Sequence, residues 1–497
     1  MVKKAQRSDQ SRLWLIDGRA GPSNSPSYEA RIAAGAATAP FGTPTTVRAP
    51  DPSSYGSFIA IDQIPGETGD PTIDTTGYYD PGAVSKMLEI GRGGCQADLQ
   101  IHMGACEDPQ DFNQGWSKVL VLKGARPTQW GTDALGALEP GDRAPVIETV
   151  PWQGEDIYEL VHLTYAEGAA TILDLEVIAI EVCDPKTCGE CGLSTSGCDH
   201  VLATALAGAA SPGILAQVIY SSDGGGTWAD TIISTLAAAE DPSDATCVSP
   251  NYVVVSNDSD SLHFAAVADI LAGTDVWTEV ATGFVAAGSP NAIVSANSRA
   301  TFIAGDLGYV YKTENPENGV TVLTDGSVTA QNLTDIDALD DQAIVAVGEA
   351  NAVIFSVDGE TFAAVTGPAP AVVLNAVAMK SEDEWWVGTA DGRLYYTLDQ
   401  GSNWTESSFS GAGAGEVRAI IWKDETVGYF SHDTVDPAGR IFRTIDGGFS
   451  WDRDGRDSLP ANDQVTALAV CEDQNKVFGG GLGDDGSDGI IIKGSGS

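Results

Sequence analysis

The sequence predicts an all-β chain: an N-terminal β-sandwich or half-barrel domain followed by a seven-bladed β-propeller. Three observations carry that reading. Over the C-terminal three-fifths, a short Ser/Thr–Asp–Gly–aromatic pattern returns at steps of 41 to 47 residues, the length of one four-stranded blade. Before that region, apolar and polar residues mostly alternate, which is the period of a strand with one face on a core. No stretch there makes an amphipathic helix longer than about two turns. The 497 residues, 42% of them hydrophobic, are enough for two or more cores.

Residues 1–58 are rich in Pro, Gly, Ser and Ala and hold no sustained period. They read either as a tail without fixed structure or as an extended arm. The cluster Leu13, Trp14, Leu15 and Ile16 favours the arm, with these residues as apolar anchors on a neighbouring copy. Residues 59–182 make the β-domain. In ADLQIHMGA, Leu99, Ile101 and Met103 alternate with Gln100 and His102. KVLVLKGA (118–125), APVIETVPW (144–152), IYELVHLTY (157–165) and ATILDLEVIAIEV (170–182) read as further strands.

Residues 199–497 hold the repeat. Ser221, Asp223, Gly225 and Trp228 return as Thr397, Asp399, Gly401 and Trp404, and again as Thr444, Asp446, Gly448 and Trp451. A shorter copy has Ser356, Asp358 and Phe362. Two degenerate copies fit the gaps, one at Asp269, Gly273 and Trp277, the other from Thr313 and Asn315 to Gly319. The physics of the motif is direct. An Asp carboxylate accepts backbone N–H groups inside a tight turn, glycine supplies a positive φ, and the aromatic ring is buried beneath. One further strand set, QVTALAVCEDQNKVFGGGLGDDGSDGIIIKG, follows the last copy and completes seven blades. It is short of an outer strand. Residues just before blade 1 are expected to supply it and close the ring, which removes an exposed edge.

Between the two regions, 183–198 forms a Cys-rich hinge with Cys183, Cys188, Cys191 and Cys198. Four thiolates at this spacing suit a structural zinc, two disulfides or free thiols, and the pattern does not choose. Apart from that zinc, no cofactor is expected. Cys95 and Cys106 flank a predicted strand, and Cys247 and Cys471 read as small core residues.

The formal charge of −44 argues against binding to nucleic acid or an anionic membrane. It is uneven: −13 over residues 1–195 and −31 over the rest. No segment is apolar enough to span a membrane, and the N-terminus lacks the apolar core of a signal peptide. The five histidines form no metal-binding pair, and no glycine-rich loop has phosphate-binding spacing.

The repeat resembles the Asp-box, or BNR, motif of sialidase-like and photosystem-assembly-factor-like propellers. In those families the box is a structural staple, which makes the residues above fold markers. A sialidase would also need an arginine triad, and Arg31-Ile32 is followed by Ala33 where that family has proline. Catalytic residues are therefore expected to be none. The segment from Glu89 to Val150, with ADLQIHMG-x-C, GW-x-K and LGALE-x-GD, is similar to the β-domain of virion proteins from long-tailed phages. That resemblance implies a non-enzymatic tail-tube subunit in a bacteriophage virion, made in the host cytoplasm. Its partners would be copies of itself in stacked rings and other tail proteins. DNA would pass through the lumen unbound, and the propeller would decorate the outside without membrane insertion. The alternative is a host-recognition propeller that binds glycans, with Trp385, Trp386, Tyr395 and Tyr396 as stacking candidates.

Overall fold

The computed structural model describes the strands named below between residues 11 and 167, residues 176–183, and residues 199–496 apart from short internal stretches. It divides into two compact units, Met1–Val161 and His162–Ser497.

In the first unit, seven strands form one antiparallel sheet. Its order runs Glu29–Arg31, Ser11–Ile16, Ala97–Gly104, Trp116–Pro127, Ile147–Gln153, Thr72–Tyr78, with Asp156–Val161 also on the long Trp116–Pro127 strand. The Leu-Trp-Leu-Ile cluster lies in this sheet: Leu13 pairs with Ile101 and Leu15 with Leu99 of the same chain. The alternation in ADLQIHMG does not mark an inner and an outer face. Leu99, Gln100, Ile101 and His102 are all buried, and the His102 Nε2 and Gln100 Oε1 atoms meet at 2.9 Å, as buried polar groups must. A separate two-stranded ribbon, Thr45–Pro50 with Phe58–Ile64, pairs with no other strand among the described residues.

In the second unit, the described residues form seven four-stranded antiparallel sheets, the blades of a β-propeller. Blade 1 is Val177–Val182, Val201–Ala205, Gln217–Ser221 and Ala229–Ile232. Blades 2 to 6 follow, with first strands Asp244–Val248, Pro290–Ala296, Leu333–Ala338, Leu374–Met379 and Val417–Trp422. Blade 7 takes Gln464–Val470, Lys476–Leu482 and Gly489–Gly496 from the C-terminal end and its outer strand, Leu163–Glu167, from before blade 1. Leu163 pairs with Gly496 and Glu167 with Ile492, so the ring closes as its missing strand predicts. This shifts the domain boundary. Strands Leu163–Glu167 and Val177–Val182, read from sequence as the end of the β-domain, belong to the propeller. Alternation alone cannot tell which sheet a strand joins.

The second strand of each blade is flanked by blades on both faces. It therefore reads as an apolar run, as buried strands do. In blade 5, Trp385 and Trp386 are adjacent, yet they are 1% and 0% exposed. They fill the two inter-blade layers on opposite sides of their sheet.

Candidate functional site

Four copies of the repeat build the same turn between the third and fourth strands of their blades. In blade 1 the Ser221 hydroxyl donates to Asp223 Oδ1 at 2.8 Å and accepts from the Gly225 N–H at 2.8 Å. Asp223 Oδ1 also accepts the Gly226 and Thr227 N–H groups at 2.8 Å. Gly225 sits at φ 76°, where a side chain would be strained. Asp358 accepts from Glu360 and Thr361, and its turn is one residue tighter. Asp399 accepts from the Asn403 N–H at 2.8 Å, with Gly401 N–H on the Thr397 hydroxyl. Asp446 accepts from Ser450, with Gly448 N–H on Thr444. The aromatics reach neighbouring blades. Trp404 Nε1 donates to Thr366 O of blade 4 at 2.9 Å, Trp451 is buried in the core between blades 5 and 6, and Trp228 and Phe362 pack against the cores beside them.

These carboxylates are driven apart by their surroundings. The Thr227 N–H and hydroxyl hold Asp223 below the usual range. The Thr361 hydroxyl and N–H do the same for Asp358, and the Asn403 amide does so for Asp399. Asp446 makes similar bonds but is 2% exposed, and its burial wins, raising it.

The two degenerate copies occupy the same connection with different chemistry. Asp269 lies in a helical turn, Val267–Leu271, and its backbone carbonyl, not its carboxylate, accepts from Thr274. Gly273 keeps a positive φ of 67° and Trp277 stays buried. Asn315 caps the 3-10 turn Pro316–Asn318, accepting the Glu317 N–H. Blade 7 has no such turn for a plain reason: its third and fourth strands come from opposite ends of the repeat region.

The Cys-rich hinge is corrected in one respect. Cys183 is disulfide-bonded to Cys247 of blade 2, joining the ends of two neighbouring first strands. It is neither a zinc ligand nor paired within its own cluster. Cys471 is disulfide-bonded too, so Cys247 and Cys471 are more than small core residues. Cys188, Cys191, Cys198, Cys95 and Cys106 lie outside the described residues. No metal-binding group of His, Cys, Asp and Glu occurs among the described residues.

Sequence reasoning missed the central channel. The seven first strands line a cavity of about 560 Å³, and side chains on them cross from blade to blade. Ser243 Oγ donates to Pro290 O at 2.8 Å, Asn291 Nδ2 to Leu333 O at 2.9 Å, and Thr334 Oγ1 to Leu374 O. Thr466 Oγ1 of blade 7 donates to Val177 O of blade 1 at 2.8 Å, tying the last blade to the first. Three aspartates bridge the same gap. The N–H groups of Ile293, Val377 and Met379 donate to Asp244, Asp335 and Asp337 of the preceding blade at 2.9, 2.7 and 2.6 Å. First strands of adjacent blades share no backbone ladder, so these side chains satisfy groups that would otherwise be left unpaired. The readable signal was Thr-Asp-Ile-Asp inside an apolar strand, a costly pattern unless the carboxylates have fixed partners.

Burial pushes the Asp244 carboxyl up to about 7 and Glu181 up to about 8, with the Asp244 and Asp337 charges adding to the latter. A carboxyl raised in the fold stabilises below its ordinary pKa of 4.5, and that contribution is lost as pH climbs through the raised value. Glu181→Gln is therefore expected to leave stability at pH ~5 unchanged and to raise it at pH ~9 by on the order of 1–2 kcal/mol. Urea titrations at the two pH values check this, and an equal change at both would refute it.

Trp385, Trp386 and Tyr395 are buried, and Tyr396 stacks on Trp386 at 4.9 Å. Arg393 pairs with Asp391 and Glu406, Arg418 with Glu416 and Asp433, and Arg443 with Asp454.

Fold and turns together define a closed seven-bladed propeller joined to a β-sheet module. No family model and no curated protein matches the chain. Among solved structures it is similar to YCF48 from Cyanidioschyzon merolae at 14% identity and a TM-score of 0.51, covering 67% of this chain and 99% of that one. It is similar to YCF48 bound to D1 peptide at 12% identity and a TM-score of 0.51, covering 68% and 96%. A streptogramin B lyase matches at 12% identity and a TM-score of 0.51, covering 68% and 98%. At such identities these likenesses show the propeller fold alone.

Proposed function

We propose that the chain is a non-enzymatic structural subunit of a virus particle, a tail-tube protein whose first unit polymerises and whose propeller is displayed outside. One observation carries the assembly reading. The ribbon Thr45–Pro50/Phe58–Ile64 pairs with no other strand among the described residues, and a two-stranded ribbon is marginal on its own in water. A neighbouring copy that adds a strand or a face to it would complete it. The propeller is suited to display rather than polymerisation, because Leu163–Glu167 closes its ring by pairing with Gly489–Gly496 and its region carries −31 of the charge. Disulfides persist on particles exposed to oxidising surroundings, which suits Cys183–Cys247.

Electron microscopy of the purified full chain is expected to show rings or stacked tubes. A monodisperse monomer at high concentration under particle-like salt would overturn the proposal. Ile59→Pro removes a ladder N–H from the ribbon. It is expected to abolish rings while leaving propeller unfolding unchanged.

A further inference from the structure

In each blade the first and third strands run in the same direction, so the turns that follow them emerge on one face of the ring. On that face, blades 4 to 6 present four exposed apolar side chains: Leu339 (37% exposed), Val357 (60%), Leu398 (39%) and Phe449 (46%). The turns that carry them are fixed. Gly359 N–H donates to Gln342 O at 3.1 Å and Gly447 N–H to Thr426 O at 2.9 Å within their blades. Lys380 Nζ of blade 5 donates to Gly447 O of blade 6 at 3.3 Å. Exposed carboxylates stand beside the apolar residues, among them Asp341, Glu360, Glu382 and Asp383. The nearby cations are engaged, Lys312 with Glu360 at 2.8 Å and Lys380 with Glu384 at 3.3 Å. Apolar residues on a rigid acidic face mark an interaction surface for a basic segment with some apolar character.

The chain itself contains such a segment. Residues 1–10 hold Lys3, Lys4 and Arg7 against Asp9 alone, with Met1, Val2 and Ala5 as apolar members, in a protein of net charge −44. These residues immediately precede Ser11–Ile16, the strand that pairs with Ala97–Gly104 of the same chain. We infer that residues 1–10 of one copy dock on the acidic, apolar turn face of blades 4–6 of a neighbouring copy. The inference rests on the assembly reading above and names the contact the arm makes.

The test uses the full chain with p-benzoyl-phenylalanine in place of Val2, mixed from isotopically light and heavy preparations and irradiated. Expected are light–heavy cross-links from position 2 to peptides containing Leu398 or Phe449. Their yield should fall about tenfold in 1 M salt or with Asp341→Lys/Glu382→Lys. It should not change with Glu349→Lys/Asp325→Lys on the opposite face. Rings that form without these cross-links overturn the inference and leave the assembly reading standing. These cross-links in particles that never exceed dimers support the contact and count against the tube. Cross-links confined to one isotope also overturn it, because the contact would then lie within a single copy.

Discussion

The full chain carrying Cys183→Ala and Cys247→Ala is expected to unfold at a much lower urea concentration than the parent, a loss of about 4 kcal/mol. The bridge joins residues 64 apart, so it removes much of the freedom the unfolded chain would otherwise gain. Its placement adds to that effect. It ties the end of the first strand of blade 1 to the first strand of blade 2, where no backbone ladder runs between sheets. Cys183 is 0% and Cys247 is 6% exposed, so alanine leaves no buried hydroxyl to confuse the result. Reducing the parent with dithiothreitol should lower its midpoint in the same direction. A double variant that unfolds at the parental midpoint would show that the apolar core shared by blades 1 and 2 holds them together without the bridge.

What could be read in the sequence and what could not follows from locality. The turns at Asp223, Asp358, Asp399 and Asp446 are closed by residues within four positions of one another, so their spacing is visible in one line of sequence. At Asp269 and Asn315 the spacing persisted while the local bonds changed to a helical turn and a cap. Position in the blade is fixed by the repeat, but turn chemistry is not. Apart from Thr466–Val177, which spans 289 positions, the channel bridges named above join residues 40 to 49 positions apart and use single Asp, Asn, Ser or Thr side chains, which look like ordinary polar residues until the ring is closed. Cys183 was grouped with its sequence neighbours because thiol spacing is the only local signal. Its true partner sits one blade away.

Charge shows the same division between surface and interior. The box carboxylates on the surface are stabilised as anions by N–H and hydroxyl donors, while Asp244 and Glu181 in the channel are raised by burial. Acid therefore weakens the turns as it favours the channel groups, and alkali does the reverse. The fold is bracketed between two opposed sets of carboxyls, and a net charge alone gives no hint of this.

The largest single-residue effect is expected at Glu384, at the junction of blades 5 and 6. Its Oε1 accepts from Lys380 Nζ at 3.3 Å and from the Trp386 indole N–H at 2.9 Å. The two charged side chains are 4% and 7% exposed. Lys380 also stands 4.7 Å from the Trp422 ring centroid, and Trp386 packs against Trp422 and Trp451 at 5.3 and 5.6 Å. Glu384→Ala takes the carboxylate from a buried ammonium and the acceptor from a buried indole at once. A loss of about 3–5 kcal/mol is expected. The control is Lys380→Met with Glu384→Leu, which removes both charges and should recover most of that loss, because the penalty comes from leaving a buried ammonium without its carboxylate rather than from the worth of the pair. Tryptophan fluorescence follows the transition directly, since three indoles share the layer. If Glu384→Ala costs less than about 1 kcal/mol, water reaches Lys380 and the layer is not the dry seam that its burial implies.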